Sequence, residues 1–74
     1  MTTTITSPYL VILYMKSEDG KIATARRQFA QEETAEEFAV ALLGADAPDG
    51  IVIGTSLFLM NEDGTMECLN EWEF

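Results

Sequence analysis

The sequence has no histidine, one cysteine and only four basic residues among its 74 positions. Without histidine, neither imidazole acid–base catalysis nor histidine metal ligation is available. A single cysteine excludes a disulfide within the chain and a cysteine-rich zinc site. Four bases against thirteen acids give a net charge of −9. This charge excludes a basic nucleic-acid binder, which must neutralise phosphates, and it opposes docking on an anionic membrane.

Long apolar stretches are also missing. The longest uninterrupted run, Tyr9 to Met15, has seven residues, whereas a helix that crosses a bilayer needs about 20. The N-terminus, Met1 to Thr4, has neither the basic segment nor the cleavage site of a secretory signal. We therefore expect a cytoplasmic protein, and a single unpaired cysteine fits that reducing compartment.

The chain has room for one small hydrophobic core and no second one. Its hydrophobic content of 47% is too high for a disordered tail. Residues 1–8 are rich in threonine and serine and end at Pro8, so we predict a flexible N-terminal arm there. Residues 9–74 are predicted to form a single domain.

A first hairpin is predicted around the turn Glu18-Asp19-Gly20. Tyr9–Met15 is rich in β-branched and aromatic residues, which favour a strand. Lys21–Phe29 also suits a helix by composition, but the turn before it favours a second strand. A three-residue loop with a left-handed glycine is predicted, because a one-residue slip moves side chains to the wrong face. This loop pairs Met15 with Ala23, Leu13 with Ala25, Val11 with Arg27 and Tyr9 with Phe29.

A helix is predicted over Glu32 to Leu43. Thr34 and Glu37 have the spacing of a capping box, in which each side chain binds a free amide of the first turn. Gly44 is suited to end the helix, and Pro48 in the following loop, residues 45–50, prevents it from continuing. One apolar stripe follows the helical period: Ala35, Phe38, Ala39 and Leu42.

A second hairpin is predicted from Ile51–Met60 and Thr65–Phe74, with a turn at Glu62-Asp63-Gly64 and a bulge or bend at Gly54. The same bulged register pairs Met60 with Met66, Phe58 with Cys68, Leu57 with Leu69 and Leu59 with Glu67. The predicted fold is therefore α+β: a four-stranded antiparallel sheet in ββαββ order, with one helix packed on one face.

Both faces of the second hairpin carry large apolar side chains, and one helix covers a single face of such a sheet. We therefore predict a homodimer or weak self-association through Phe58, Met60, Met66 and Cys68. Cys68 is interpreted as a small core residue rather than a nucleophile, because no base lies nearby in the sequence. If Cys68 lies near the two-fold axis, an oxidised dimer is expected.

Charge is strongly segregated along the chain. All four bases lie in the first hairpin, and residues 31–74 hold eleven acids and no base. Such a field steers a protein toward basic surfaces; the alternative is an acidic surface that serves only solubility. The residues predicted to bind a basic partner are Glu32, Glu33, Glu36 and Glu37 on the helix, and Glu67, Glu71 and Glu73 on one face of the last strand, beside the aromatic anchor Trp72.

No catalytic or cofactor motif is present, so we expect a protein that is not an enzyme and that uses no cofactor or metal. The two Glu-Asp-Gly turns lack the twelve-residue pattern of a calcium loop. No feature of the sequence raises the pKa of one carboxyl for acid–base work.

A compact, acidic, strand-rich chain with one helix and no catalytic motif resembles the small anti-CRISPR proteins of phages and mobile elements. The resemblance covers the whole chain as a profile. It implies an inhibitor in the host cytoplasm that mimics DNA and occupies the basic site of a CRISPR surveillance complex. The alternative is a small self-associating accessory or structural protein whose acidity only confers solubility.

Overall fold

The computed structural model describes residues 6–74, so Met1–Ile5 of the predicted arm lie outside the described residues. At the end of that arm, the amide of Met60 donates a hydrogen bond to the carbonyl of Pro8 at 2.8 Å. The elements, in chain order, are β1 (Tyr9–Lys16), β2 (Ile22–Phe29), α1 (Glu32–Ala41), β3 (Asp46–Ala47), β4 (Gly50–Met60) and β5 (Met66–Glu73). The predicted α+β class and antiparallel sheet are confirmed.

The sheet has five strands rather than the predicted four. Its order is β2–β1–β4, and the far edge of β4 pairs first with β3 and then with β5. The short strand β3 lies where the sequence predicts a loop. It forms because Gly44, at φ +77°, turns the chain back against β4, where its amide donates to the carbonyl of Val52 at 2.8 Å.

Both predicted turns are confirmed. Gly20 and Gly64 have positive φ, +85° and +89°, and the amide of Ser17 donates to the carbonyl of Lys21 at 2.9 Å. The whole predicted register of the first hairpin is present, from Met15 opposite Ala23 to Tyr9 opposite Phe29. The predicted bulge at Gly54 is present where β1 pairs with β4. Tyr14 pairs with Gly54, but Met15 pairs with Val52, so Ile53 is left without a partner on β1.

The predicted capping box is wrong. The helix begins at Glu32, two residues before Thr34, its N-cap is Gln31, and no side chain caps it. The first turn instead holds Glu32 and Glu33, whose charges the positive end of the helix dipole favours. The helix ends at Ala41, two residues earlier than predicted.

The core lies between α1 and one face of the sheet, as the apolar stripe predicts. Ala35 and Ala39 are fully buried, while Phe38 and Leu42 pack at the border of the same cluster. The ring of Phe38 lies 5.0 Å from that of Phe29. The strand residues of this cluster are Val11, Leu13, Met15, Val52 and Leu57.

Asp19 and Asp63 occupy the same place in the two turns, one residue before the glycine. The Ser17 hydroxyl donates to Asp19, and the Thr65 hydroxyl and amide donate to Asp63 Oδ1 at 2.6 and 3.0 Å. These hydrogen bonds hold the pKa of both carboxyls below its ordinary value. The bond from the hydroxyl lowers the pKa most, and the bond from the backbone amide comes next.

Replacing Phe38 by alanine destabilises the protein. A buried phenylalanine costs about 3 to 5 kcal/mol when truncated, and the partly exposed ring of Phe38 places this change near the lower end. The Val40→Ala change on the same helix is the matched control, since Val40 is 48% exposed and should move stability by about 0.5 kcal/mol or less. Urea unfolding followed by circular dichroism measures both, and equal stabilities would contradict the packing of Phe38.

Replacing Asp63 by asparagine makes stability less sensitive to acid. A carboxyl whose pKa is lowered by folding stabilises the fold above its unfolded pKa, and this contribution is lost as the pH falls through the folded value. The advantage of wild type over D63N should therefore be complete at neutral pH and shrink below about pH 3.8. Urea unfolding at several pH values measures it, with Glu36→Gln as the control for a lost charge. A pH-independent difference would contradict this role.

Candidate interaction surfaces

The face of the sheet opposite α1 has no cover; we call it the open face. Because Val11 and Leu13 point into the core, the residues between and beside them on β1 lie on the open face. The strand pairings arrange this face in cross-strand rows. From β2 to β5, three successive rows are Gln28–Leu10–Phe58–Cys68, Arg26–Ile12–Ser56–Glu71 and Thr24–Tyr14–Gly54–Glu73.

All four residues predicted for self-association lie together on the open face. Phe58 pairs with Cys68, and Met60 pairs with Met66, as the sequence predicts. Met66 is 55% exposed, whereas Phe58 and Met60 are half-buried. The amide Nε2 of Gln28 donates to the Met60 sulfur at 3.7 Å. These residues form a continuous, largely apolar corner of the open face.

Cys68 is exposed, so its interpretation as a core residue is wrong. Its thiol lies 3.8 Å from both the carbonyl of Asn70 and Oε1 of Glu71. Partial loss of solvent, followed by the charge of Glu71, raises the pKa of this thiol. A raised pKa keeps the thiol protonated, and the protonated form is a poor nucleophile.

The last strand does not carry its three glutamates on one face as predicted. Glu67 pairs with Leu59, but Leu57 pairs with Asn70 rather than with Leu69, which is left unpaired as a bulge. The bulge reverses the alternation, so Glu71 and Glu73 lie on the open face with Cys68. Glu67 lies on the helix side of the sheet. The effect of the bulge is to turn Trp72, the largest apolar side chain of β5, toward the core.

Trp72 is therefore not a free aromatic anchor. It pairs with Thr55 and packs against the core cluster in a half-buried position. The exposed aromatic residue at this end of the chain is Phe74, with 79% of its surface in solvent. Its ring lies over Gly44, where a β-carbon would collide with it.

The helix acids all face solvent. Glu32, Glu33, Glu36 and Glu37 are exposed, and the last three line a shallow depression together with Val40 on the outer side of α1. Among residues 6–74 the one ion pair joins Lys21 Nζ to Asp19 at 3.7 Å. The negative charge of α1 and β5 is therefore not neutralised by any cation of the described part of the chain.

No three acidic or cysteine side chains among residues 6–74 are placed to hold a metal ion. A wide groove at the end of the molecule, where the first turn meets β3, carries charges of both signs: Lys16, Lys21, Glu18, Asp19, Asp46 and Asp49. What the sequence did not indicate is the position of Arg26, which the strand pairing sets in one row with Glu71.

No helix in the described part of the chain has the length and apolar character needed to cross a membrane. Comparison with protein-family models, with curated proteins and with solved structures found no match to this chain. Any conclusion about function therefore depends on the surfaces described above.

Proposed function

We propose that the protein is a non-enzymatic inhibitor that binds the basic nucleic-acid-binding site of a host complex and blocks its binding of target DNA. This is the action of an anti-CRISPR-like DNA mimic in the cytoplasm of the host cell. One observation carries the proposal: the acids of α1 stand on its solvent side with no cation of residues 6–74 paired to them.

A protein that grips DNA presents clustered lysine and arginine side chains to the phosphates. An outward row of carboxylates competes for those side chains and accelerates the encounter through its field. Glu33 and Glu37 lie one helical turn apart, with Glu36 beside them, so they present their charge along a single ridge. Each exposed ion pair contributes roughly 0 to 1 kcal/mol, and the affinity therefore comes from several acids acting together.

Val40 adds an apolar contact at the C-terminal end of this acidic ridge. It is 48% exposed and is flanked by Glu36 and Glu37. A salt-sensitive encounter through the carboxylates, followed by apolar contact at Val40, is the mode of binding that this surface favours.

The second candidate is a small self-associating accessory protein whose acidity confers only solubility. The uncovered apolar side chains of the open face favour it, because exposed apolar patches mark sites of protein contact. If this candidate is correct, the protein should show no salt-sensitive binding to a DNA-binding protein.

The two candidates are separated by reversing the charge of the helix ridge. The variant Glu33→Lys, Glu36→Lys, Glu37→Lys should lose inhibition of DNA binding by a purified CRISPR surveillance complex, measured by the mobility of labelled target DNA. The matched control, Glu18→Lys, Asp49→Lys, Glu62→Lys, changes the net charge equally at exposed turn positions and should retain inhibition. Circular dichroism verifies that both variants are folded.

Two outcomes would remove the proposed function. The first is unchanged DNA binding by the common types of complex in the presence of the wild-type protein. The second is inhibition that survives reversal of the ridge, or that both triple variants lose equally, since bulk charge rather than a surface would then be responsible.

A further inference from the structure

The open face carries opposite charges at its two edges, in the same cross-strand row. Arg26 on β2 aligns with Ile12, Ser56 and then Glu71 on β5. Three strand spacings separate Arg26 from Glu71, roughly 14 Å, which is too far for an ion pair within one chain. Both residues are exposed, and the one ion pair among residues 6–74 involves neither of them.

We propose that two copies of the chain pack open face to open face, around a two-fold axis that runs parallel to the strands between β1 and β4. Such an axis places β2 of each copy over β5 of the other. Each cross-strand row then faces the same row of the other copy. Arg26 of one copy then meets Glu71 of the other, and the symmetry forms this pair twice. An isologous interface needs a surface that is complementary to itself, and this row meets that requirement.

The residues between the two ion pairs suit the centre of such an interface. Ile12, Tyr14 and Phe58 are half-buried in the single chain and apolar. Gly54, opposite Tyr14, has no side chain to obstruct the partner, and the Tyr14 ring lies beside it. The charges thus lie at the rim and the apolar groups at the centre, which is the usual anatomy of a protein interface.

The available area suits a dimer of weak affinity. Three rows cross all four strands, and a fourth row adds to the overlap at β1 and β4. At roughly 4.8 by 6.6 Å per position, the two faces together bury roughly 900 Å², which is the size of weak, transient interfaces. Sheets packed in this way keep their strands within about 30° of each other, which preserves the pairing of rows. The arrangement sets Cys68 opposite Gln28 of the other copy, so the dimer forms without a Cys68 disulfide.

This dimer is independent of the proposed inhibition, and its test uses the isolated protein. Sedimentation equilibrium in reducing buffer at low salt should find wild type dimeric. Arg26→Glu alone places two glutamates face to face, and Glu71→Arg alone places two arginines face to face. Each variant should therefore dissociate at least tenfold more readily than wild type. An equimolar mixture of the two should dimerise again, because each contact then joins a glutamate to an arginine. Glu36→Arg, a matched charge change on the outer side of α1, should leave the dimer intact.

Three results would overturn the proposal. One is a wild-type protein that stays monomeric at millimolar concentration. Another is a mixture of the Arg26→Glu and Glu71→Arg variants that associates no better than either variant alone. The third is a dimer that Glu36→Arg weakens as much as Glu71→Arg does. Circular dichroism of each variant verifies that a lost dimer is not a lost fold.

Discussion

The structure depends on one constraint: a single ten-residue helix covers one side of the sheet and leaves the other bare. On the covered side, the small residues Ala35 and Ala39 let the helix backbone approach the strands. The Thr55 hydroxyl of central β4 therefore reaches the Ala39 carbonyl and donates to it at 3.2 Å. That carbonyl lies in the last turn, where the helix supplies no amide, and leaving it buried without a partner would cost about 1 to 3 kcal/mol. Thr55 thus fixes both the end of α1 and its position above the sheet.

The same constraint explains the composition of the open face. A chain of this size has central strands whose two sides are both largely apolar, as the run Tyr9–Met15 shows. Leu10 is only 5% exposed although no helix lies over it, because Gln28 and Phe58 flank it in its row. Ile12 and Tyr14 lack such complete lateral cover. The apolar area that one helix cannot reach is the area that a second copy would cover.

The turns and registers could be predicted from the sequence because their causes are local. A glycine after two acids takes positive φ, and the turn then determines the pairing of every residue up to Tyr9. The bulge at Leu69 has no such mark in the sequence, because neither glycine nor proline signals it. It is set by the gain from turning Trp72 into a core that exists only after folding. The helix begins at Glu32 as predicted, but its cap is not the predicted one: Thr34 is the better local cap, yet Gln31, three residues earlier, is the N-cap and no side chain caps the helix.

The bulge at Leu69 also places the acidic residues of β5 on different faces of the sheet. Without it, Glu67, Glu71 and Glu73 would share one face, and the last strand would present a continuous row of charge. With it, Glu71 falls in the row of Arg26, and no cation among residues 6–74 forms an ion pair with it within one chain. The acids of α1, and Glu67 on β5, lie on the helix side of the sheet, away from the open face. Two copies packed through their open faces would turn both helices outward, on opposite sides of the pair. A basic groove would meet one acidic ridge at a time, and each dimer would hold two of them.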